Sequence, residues 1–372
     1  MPKFLLQILL FVLLSVGLTT SSMSAEVGLL DEADIVVSSR AKSERQQALK
    51  TALSAVFVKN SGLPSAVSHP LVKAQINQPE VLLTQYGYSE IDDELVLKAN
   101  FDHKRIISTL RQAELPVWGK QRPLTLLWVS IEDNGERHIL SDISDMDTRT
   151  QIELESSNKG IPVILPLMDL DDVMKINVSD VRGMFTDVVS EASKRYRADY
   201  FAIADMDQVG GFVRFQVSLF DKESDSAVMQ PLIHHQAEVL DYETATNQIL
   251  STLAEYFVSQ YAFADSGNSA TTHLSLVGVQ NMAQLVEIEA YLNQLSAIKS
   301  VSLHQFKADT VTYKLSLFGT ADDLQKLLNI NKRLTQLDTL NQSEPVDVVL
   351  PSPESGEDFK TELTETLIYQ WH

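Results

Sequence analysis

The chain has 372 residues, a formal net charge of −20 and no cysteine. Without cysteine there is no disulfide, no thiol nucleophile, no cysteine-based zinc site and no lipid-modified cysteine at a cleavage point. The acidic balance repels nucleic acid and anionic lipid, and no basic run or basic–aromatic interleaving opposes it, so nucleic acid is not an expected partner.

At the amino end, Lys3 precedes the apolar run 4–18 (FLLQILLFVLLSVGL), and a small polar stretch, 19–25 (TTSSMSA), follows. Positive, apolar and small-residue regions in that order form the secretory pattern. The apolar run falls short of the roughly 20 residues that a membrane span needs. Residues 1–25 are therefore expected to be a cleavable signal peptide, with an uncleaved anchor as the alternative. The mature chain, from near Glu26, is expected to be soluble in the periplasm, without a lipid anchor or a further transmembrane segment.

Hydrophobic residues make up 44% of the chain, enough to build cores. The first module is placed at 26–115. It reads as a short strand at 33–37, then a helix at 41–59 whose Ala48, Leu49, Ala52, Leu53, Val56 and Phe57 recur at three and four residues. Gly62 and Pro64 stop that helix. A strand at 95–101 leads to Asp102, a cap for a helix carrying Ile106, Ile107, Leu110 and Ala113. The stretch 115–123 (LPVWGKQRP) reads as a connection in which Trp118 plugs a core. Its alternative is an exposed aromatic–basic contact, Trp118 with Arg122, for a partner.

The central module, 116–264, begins with the apolar strand 124–131 and has a second strand expected at 160–167. A helix is expected from 179 to about 197, then a strand at 200–204. Gly210-Gly211 reads as a hairpin turn into the alternating strand 212–220. A further strand at 227–238 and a helix at 242–261 complete a mixed sheet covered by helices. After the polar linker 265–270, residues 271–337 read as βαββα with a capping box at Thr320 and Asp323, most of a ferredoxin-like sandwich. Residues 346–350 are a candidate for its last strand. The tail, 338–372, carries eight acidic residues against Lys360, a composition expected to be largely disordered. It ends in 367–372 (LIYQWH), where Leu367, Tyr369 and Trp371 share one face if extended, suited to strand addition on this chain or on a partner. The fold class is thus α+β, in two or three small mixed-sheet modules, the last ferredoxin-like, with an acidic C-terminal tail.

Chemistry-bearing motifs are scarce. The serine-hydrolase elbow, the phosphate loop, H-E-x-x-H and the EF-hand pattern are absent. Asp169, Asp171 and Asp172 follow an apolar segment, where carboxylates either hold a hard cation or act as an acid–base pair, or simply cap backbone amides. Asp205 and Asp207 form a loose D-x-D at another strand end; convergence of the two groups would strengthen a site. His234 and His235 are adjacent on a strand and point to opposite faces, so they do not share a metal. No catalytic residue, metal or cofactor is expected.

Three segments, 115–133 (LPVWGKQRPLTLLWVSIED), 160–172 (GIPVILPLMDLDD) and 191–206 (EASKRYRADYFAIADM), resemble the domain-of-unknown-function family twenty sixty-six, exported proteins of Gram-negative bacteria. The segments AVFVKNSG and VLKANFD extend that resemblance over most of residues 30–330. The resemblance implies an envelope location and no established activity. The expected function is a non-enzymatic envelope-associated binding or assembly module whose partners are other envelope proteins, with contacts through Trp118, Arg122, Leu367, Tyr369 and Trp371. The alternative is a periplasmic hydrolase or metal-dependent enzyme using Asp169, Asp171, Asp172, Asp205 and Asp207.

Overall fold

The computed structural model describes residues 30–91, 94–133, 135–222, 229–265, 267, 270–331, 333–337 and 366–372. The segment 1–25 expected to be a signal peptide, the tail residues 338–365 and the strand expected at 346–350 lie outside the described residues.

The first module runs β1 (Glu32–Val36), α1 (Lys42–Ser61), α2 (Pro70–Asn77), β2 (Leu83–Ile91), β3 (Glu94–Phe101) and α3 (His103–Gln112). The stripe read on α1 is buried from Ala48 to Phe57, and the helix ends where Gly62 turns left-handed at φ 70°. Asp102 caps α3, accepting from the Arg105 amide at 3.2 Å. The three strands are antiparallel in the order β1-β3-β2, and Leu53, Phe57, Leu97, Phe101 and Ile106 meet in their core. The sequence signal for β2 is weak because its residues 84–87 are exposed.

The short strand β4 (Val117–Trp118) opens the central module, followed by β5 (Thr125–Asp133), β6 (Glu136–Ile139), α4 (Asp147–Lys159) and β7 (Val163–Ile164). Then come α5 (Leu170–Val173), α6 (Val178–Arg182), α7 (Thr186–Ser193), β8 (Tyr200–Val209), β9 (Phe212–Asp221), β10 (Ile233–Val239), α8 (Tyr242–Tyr261) and β11 (Ala262–Phe263). The main sheet has the order β10-β9-β8-β5-β6, with β7 also on β5. The β5–β8 and β5–β7 pairs are parallel and the others antiparallel, the mixed sheet expected.

Two expectations are corrected here. The strand at 160–167 shrinks to two-residue β7, because Pro162 and Pro166 have no N–H to give a ladder. The helix at 179–197 is broken: Met184 turns left-handed at φ 54°, and the Phe185 amide returns to the Asp180 carbonyl, a terminating wrap of the Schellman kind. Gly210 and Gly211 take φ 60° and 91°, forming the expected hairpin turn.

Alternation divides the main sheet between two cores. Leu127, Val129, Ile131, Phe215 and Leu219 pack with Ile152 of α4 and with Ile249, Leu253 and Phe257 of α8. On the other face Leu126, Trp128, Phe201, Ile203 and Phe220 pack with Val181, Val189 and Ala192 of α6 and α7.

The last module runs β12 (Ala270–Val277), α9 (Met282–Leu292), β13 (Ile298–Lys307), β14 (Thr310–Leu317), α10 (Ala321–Ile330), β15 (Leu334–Gln336) and β16 (Thr366–Trp371). Its sheet order is β13-β14-β12-β16-β15. The βαββα core is that read from the sequence, and both halves of the Thr320–Asp323 capping box form. The tail is redrawn at its end: residues 366–371 are a strand of this sheet, parallel to β12 and antiparallel to β15.

The central and last modules are also less separate than their linker implies. One continuous core holds Leu253 and Phe257 of α8 together with Leu327, Leu328 and Trp371 of the last module. Among the described residues, no helix is long and apolar enough to cross a membrane.

Candidate functional site

Four strands of the central sheet bring polar side chains into a band on the face shared with α6 and α7. Because side chains alternate along a strand, Ser130 and Glu132 of β5 point away from the core that holds Val129 and Ile131. By register, Ser130 lies across from Asp205 of β8, Asp205 from Gln216 of β9, and Gln216 from Gln236 of β10. One step further along, Asp207 lies across from Arg214, and Arg214 from Glu238. Arg137 of β6 pairs in register with Glu132. The short helices α6 and α7 cover only the apolar part of this face, leaving the polar part as a cleft of about 610 Å³ lined by Arg182, Asp205, Asp207, Arg214, Gln216, Gln236 and Glu238.

The electrostatic centre of the cleft is Arg137. Its guanidinium lies 3.3 Å from Glu132 and 3.3 Å from Asp205, and it donates to Asp207 as well. Asp205 is nine-tenths buried, and that burial pushes its carboxyl above the usual range despite the opposing pull of Arg137. Desolvation therefore outweighs ion pairing at this residue. Arg214 makes a looser pair with Glu238 at 3.5 Å. His234, on the same face, meets the Ser218 hydroxyl at 2.8 Å, while His235 packs toward Phe215 on the other face; the two histidines diverge as alternation requires.

The second acidic group is elsewhere and does different work. Asp169 caps α5, accepting from the Asp172 amide at 3.2 Å, and takes two hydrogen bonds from Arg195 at 2.6 and 2.7 Å. The Arg195 bonds hold its carboxyl down to about 2. Asp172 is fully buried and accepts from the Met168 amide, from Arg195 and from the Tyr196 hydroxyl. Burial, and then this bond to Asp172, push the Tyr196 hydroxyl up. Tyr196 in turn accepts from the Leu167 amide. These two aspartates brace a turn, while Asp171 is exposed. The two groups have different arginines as partners and do not form one site. Among the described residues, no cluster of three or more histidine, aspartate or glutamate residues is arranged to hold a metal ion.

The expected partner contacts are corrected by burial. Trp118 and Arg122 are each 1% exposed. Arg122 stacks on the Trp118 ring at 3.8 Å and donates to the carbonyls of Lys59, Trp118, Gly119 and Gly160, so it staples the first module to the central one. Burial lowers its pKa to about 9. Leu367, Tyr369 and Trp371 lie on one face of β16 as alternation predicts, but they are buried in their own chain, with the Tyr369 hydroxyl donating to Asn329 at 2.8 Å. Of the residues singled out from the sequence, Asp205 and Asp207 line the cleft. Arg137, Arg214, Gln216, Gln236 and Glu238 were not foreseen; only the alternation of 212–220 placed Arg214 and Gln216 on an outward face.

Comparison with known proteins divides the chain. Residues 24–119 match the model of a "Domain of unknown function (DUF8605)", and residues 269–344 match DUF2066. DUF2066 is the family that the sequence resembles, here matched on the last module, while AVFVKNSG and VLKANFD fall within the stretch matched by DUF8605. A search of curated proteins finds no match. Among solved structures, a formyltetrahydrofolate deformylase from Pseudomonas putida KT2440 shares 10% identity over 55% of this chain and 94% of its own. Its TM-score of 0.19 carries no argument about fold or function.

Proposed function

We propose that the chain is a non-enzymatic, envelope-associated binding module, exported to the periplasm by residues 1–25, with the central cleft as its binding site for a polar partner among other envelope components. The observation that carries this reading is the polar band itself. Six strand-borne side chains, Asp205, Asp207, Arg214, Gln216, Gln236 and Glu238, present donors and acceptors in one open cleft. One of them, Asp205, is held there although burial pushes its carboxyl above the usual range. A carboxyl perturbed by desolvation beside a specific charge partner, in a cleft, is a candidate functional group. Binding is favoured over hydrolysis because Asp205 and Asp207 both engage Arg137, and Asp169 and Asp172 are engaged by Arg195 and main-chain amides.

A photoreactive residue at Gln216 or Gln236, introduced in cells, should yield a discrete cross-linked adduct in the periplasmic fraction. The same residue at exposed Asn77 on α2 should yield none, and Arg214→Glu should remove the adduct. Absence of an adduct at both cleft positions, or recovery of the protein in the cytoplasm with Met1 intact, would sink the reading.

A further inference from the structure

The exposed edges of the sheets differ in how they are guarded against pairing with another chain. Free edges are ordinarily shortened, kinked by bulges or charged, because their unpaired N–H and C=O groups template strand addition. Edge strand β13 carries Lys299 and Lys307 and two register shifts. Strands β6 and β15 have four and three residues, and β1 has five, including Glu32 and Asp34. β10 carries Glu238 and two histidines. β2 is different: nine residues, LTQYGYSEI, with no lysine, arginine or proline and with Glu90 as its one charged residue. It has one register shift, at its start between Leu83 and Gln85, and its pairing with β3 is regular from Gln85 to Ile91, where Gln85, Tyr86 and Gly87 are exposed.

Gly87 is the middle residue of those nine, and nothing inside the chain requires a glycine there. Its φ is not left-handed, and a Cβ built on it meets no atom within 4 Å. Glycine within a strand costs about 0.5–1 kcal/mol relative to alanine, and close approach of another backbone is one of the uses such a glycine serves. On either side of it stand Tyr86, 44% exposed, and Tyr88. The two rings meet edge to face, and the guanidinium groups of Arg45 and Arg40 lie over them at 5.6 and 5.3 Å. Tyrosine and arginine are the residue types that concentrate at interface centres.

We infer that β2 is the interface to a second copy of this chain, the two strands pairing antiparallel about a two-fold axis through Gly87. This register is self-complementary over the regular stretch 85–89. Gly87 faces its own copy, with the two Cα atoms about 4.5–5.5 Å apart. Tyr86 lies opposite Tyr88 twice, an aromatic cross-strand pair of the stabilising kind. Gln85 faces Ser89, so no like charges meet within this stretch. Each three-stranded sheet thereby joins its copy in one continuous antiparallel sheet, and the pairing is isologous, as two-fold dimers require. It is independent of the central cleft.

The absence of native cysteine permits a register-specific test. Gln85→Cys and Ser89→Cys are made as separate proteins, and the two are mixed and oxidised. In this register residue 85 of one copy lies opposite residue 89 of the other, within the Cα separation that a disulfide spans. The mixture should give a disulfide-linked dimer, and each variant alone should not. Light scattering should give the unmodified protein twice the mass of its chain at tens of micromolar. Gly87→Val, which meets nothing within its own chain, should shift the equilibrium at least tenfold toward monomer with an unchanged circular dichroism spectrum. A monomeric native protein, a dimer whose mixed cysteines do not link, or linkage by either variant alone would each overturn the inference.

Discussion

Arg122 shows how much one side chain contributes to this fold. Its guanidinium is the donor for four main-chain carbonyls, one each from α1, from β4, from the connection after β4 and from the turn after α4. Arg122→Met keeps the packing on Trp118 and leaves those buried carbonyls without that donor. The expected loss is about 3 kcal/mol or more, measured by urea unfolding. Lysine should rescue only part of it, because one ammonium cannot span the same fork of acceptors. Gly160 is the matching position. At φ 66° its Cβ would lie 2.3 Å from the Arg122 Nη1, so Gly160→Ala should cost about 1–3 kcal/mol. Asp205 behaves in the opposite sense. Its folded carboxyl titrates above its unfolded value, so its contribution to stability is present below the unfolded value, near about 3.9, and is lost as pH rises through the folded one. Asp205→Asn should therefore unfold at higher urea than the native protein at pH 7, and the gap should close as pH falls through the carboxyl's titration. A variant less stable at pH 7 would mean that the bond to Arg137 outweighs burial.

Among the elements, strand β16 fills a slot rather than extending an edge. It separates β12 from β15, and Gly278, at φ 91°, leaves room for Gln370 and the Trp371 carbonyl. Tyr369→Ala should cost about 3–5 kcal/mol, the usual range for a buried large aromatic. Deleting residues 366–372 should lower the melting temperature further, by leaving β15 without a partner and opening one edge of β12. Unchanged stability after that deletion would mean that the strand's normal place is on another molecule. The alternation of Leu367, Tyr369 and Trp371 was legible in the sequence because it is a local pattern, but its neighbours were not, because pairing joins residues far apart in the chain. The same boundary separates the other successes from the failures. The stripe of α1 and the hairpin at Gly210-Gly211 are local signals, and both were read. Helix α4 was passed over because it buries Thr148, Ile152 and Ser156 and no longer apolar stripe. Asp205 and Asp207 stood out as a pair on one strand, whereas Arg137, which organises them, lies two strands away in the sheet. The plugging role of Trp118 was legible in the sequence, but the acceptors of Arg122 were not, because they belong to residues as distant as Lys59 and Gly160.

In the whole molecule, the unit of stability does not follow the linkers. The first module has a core of its own, while the central and last modules share one. Two arginines, Arg122 buried and Arg111 half-buried, tie the first module to the rest. Arg122 reaches α1 from the connection. Arg111, on α3, donates to the carbonyls of Phe263 and Ser296 and stacks on Phe318 at 3.7 Å. Burial lowers the Arg111 guanidinium to about 10, a sign of how far these staples are withdrawn from water. Cooperativity between bodies with separate cores rests on such bridging contacts, and local opening follows where they are few. In the native protein, amides of β3 at 97–101 and of β8 at 201–206 should therefore exchange with deuterium through the same global opening. Replacing both Arg111 and Arg122 with methionine should release the first module, so that β3 exchanges at least tenfold faster than β8 and a separate, lower transition appears in calorimetry. The single variants should show part of this effect, because each leaves one staple in place. If β3 and β8 remain matched in the double variant, the coupling runs instead through the β4–β11 pair and the apolar contacts around Val117, and the arginines serve only to satisfy buried carbonyls.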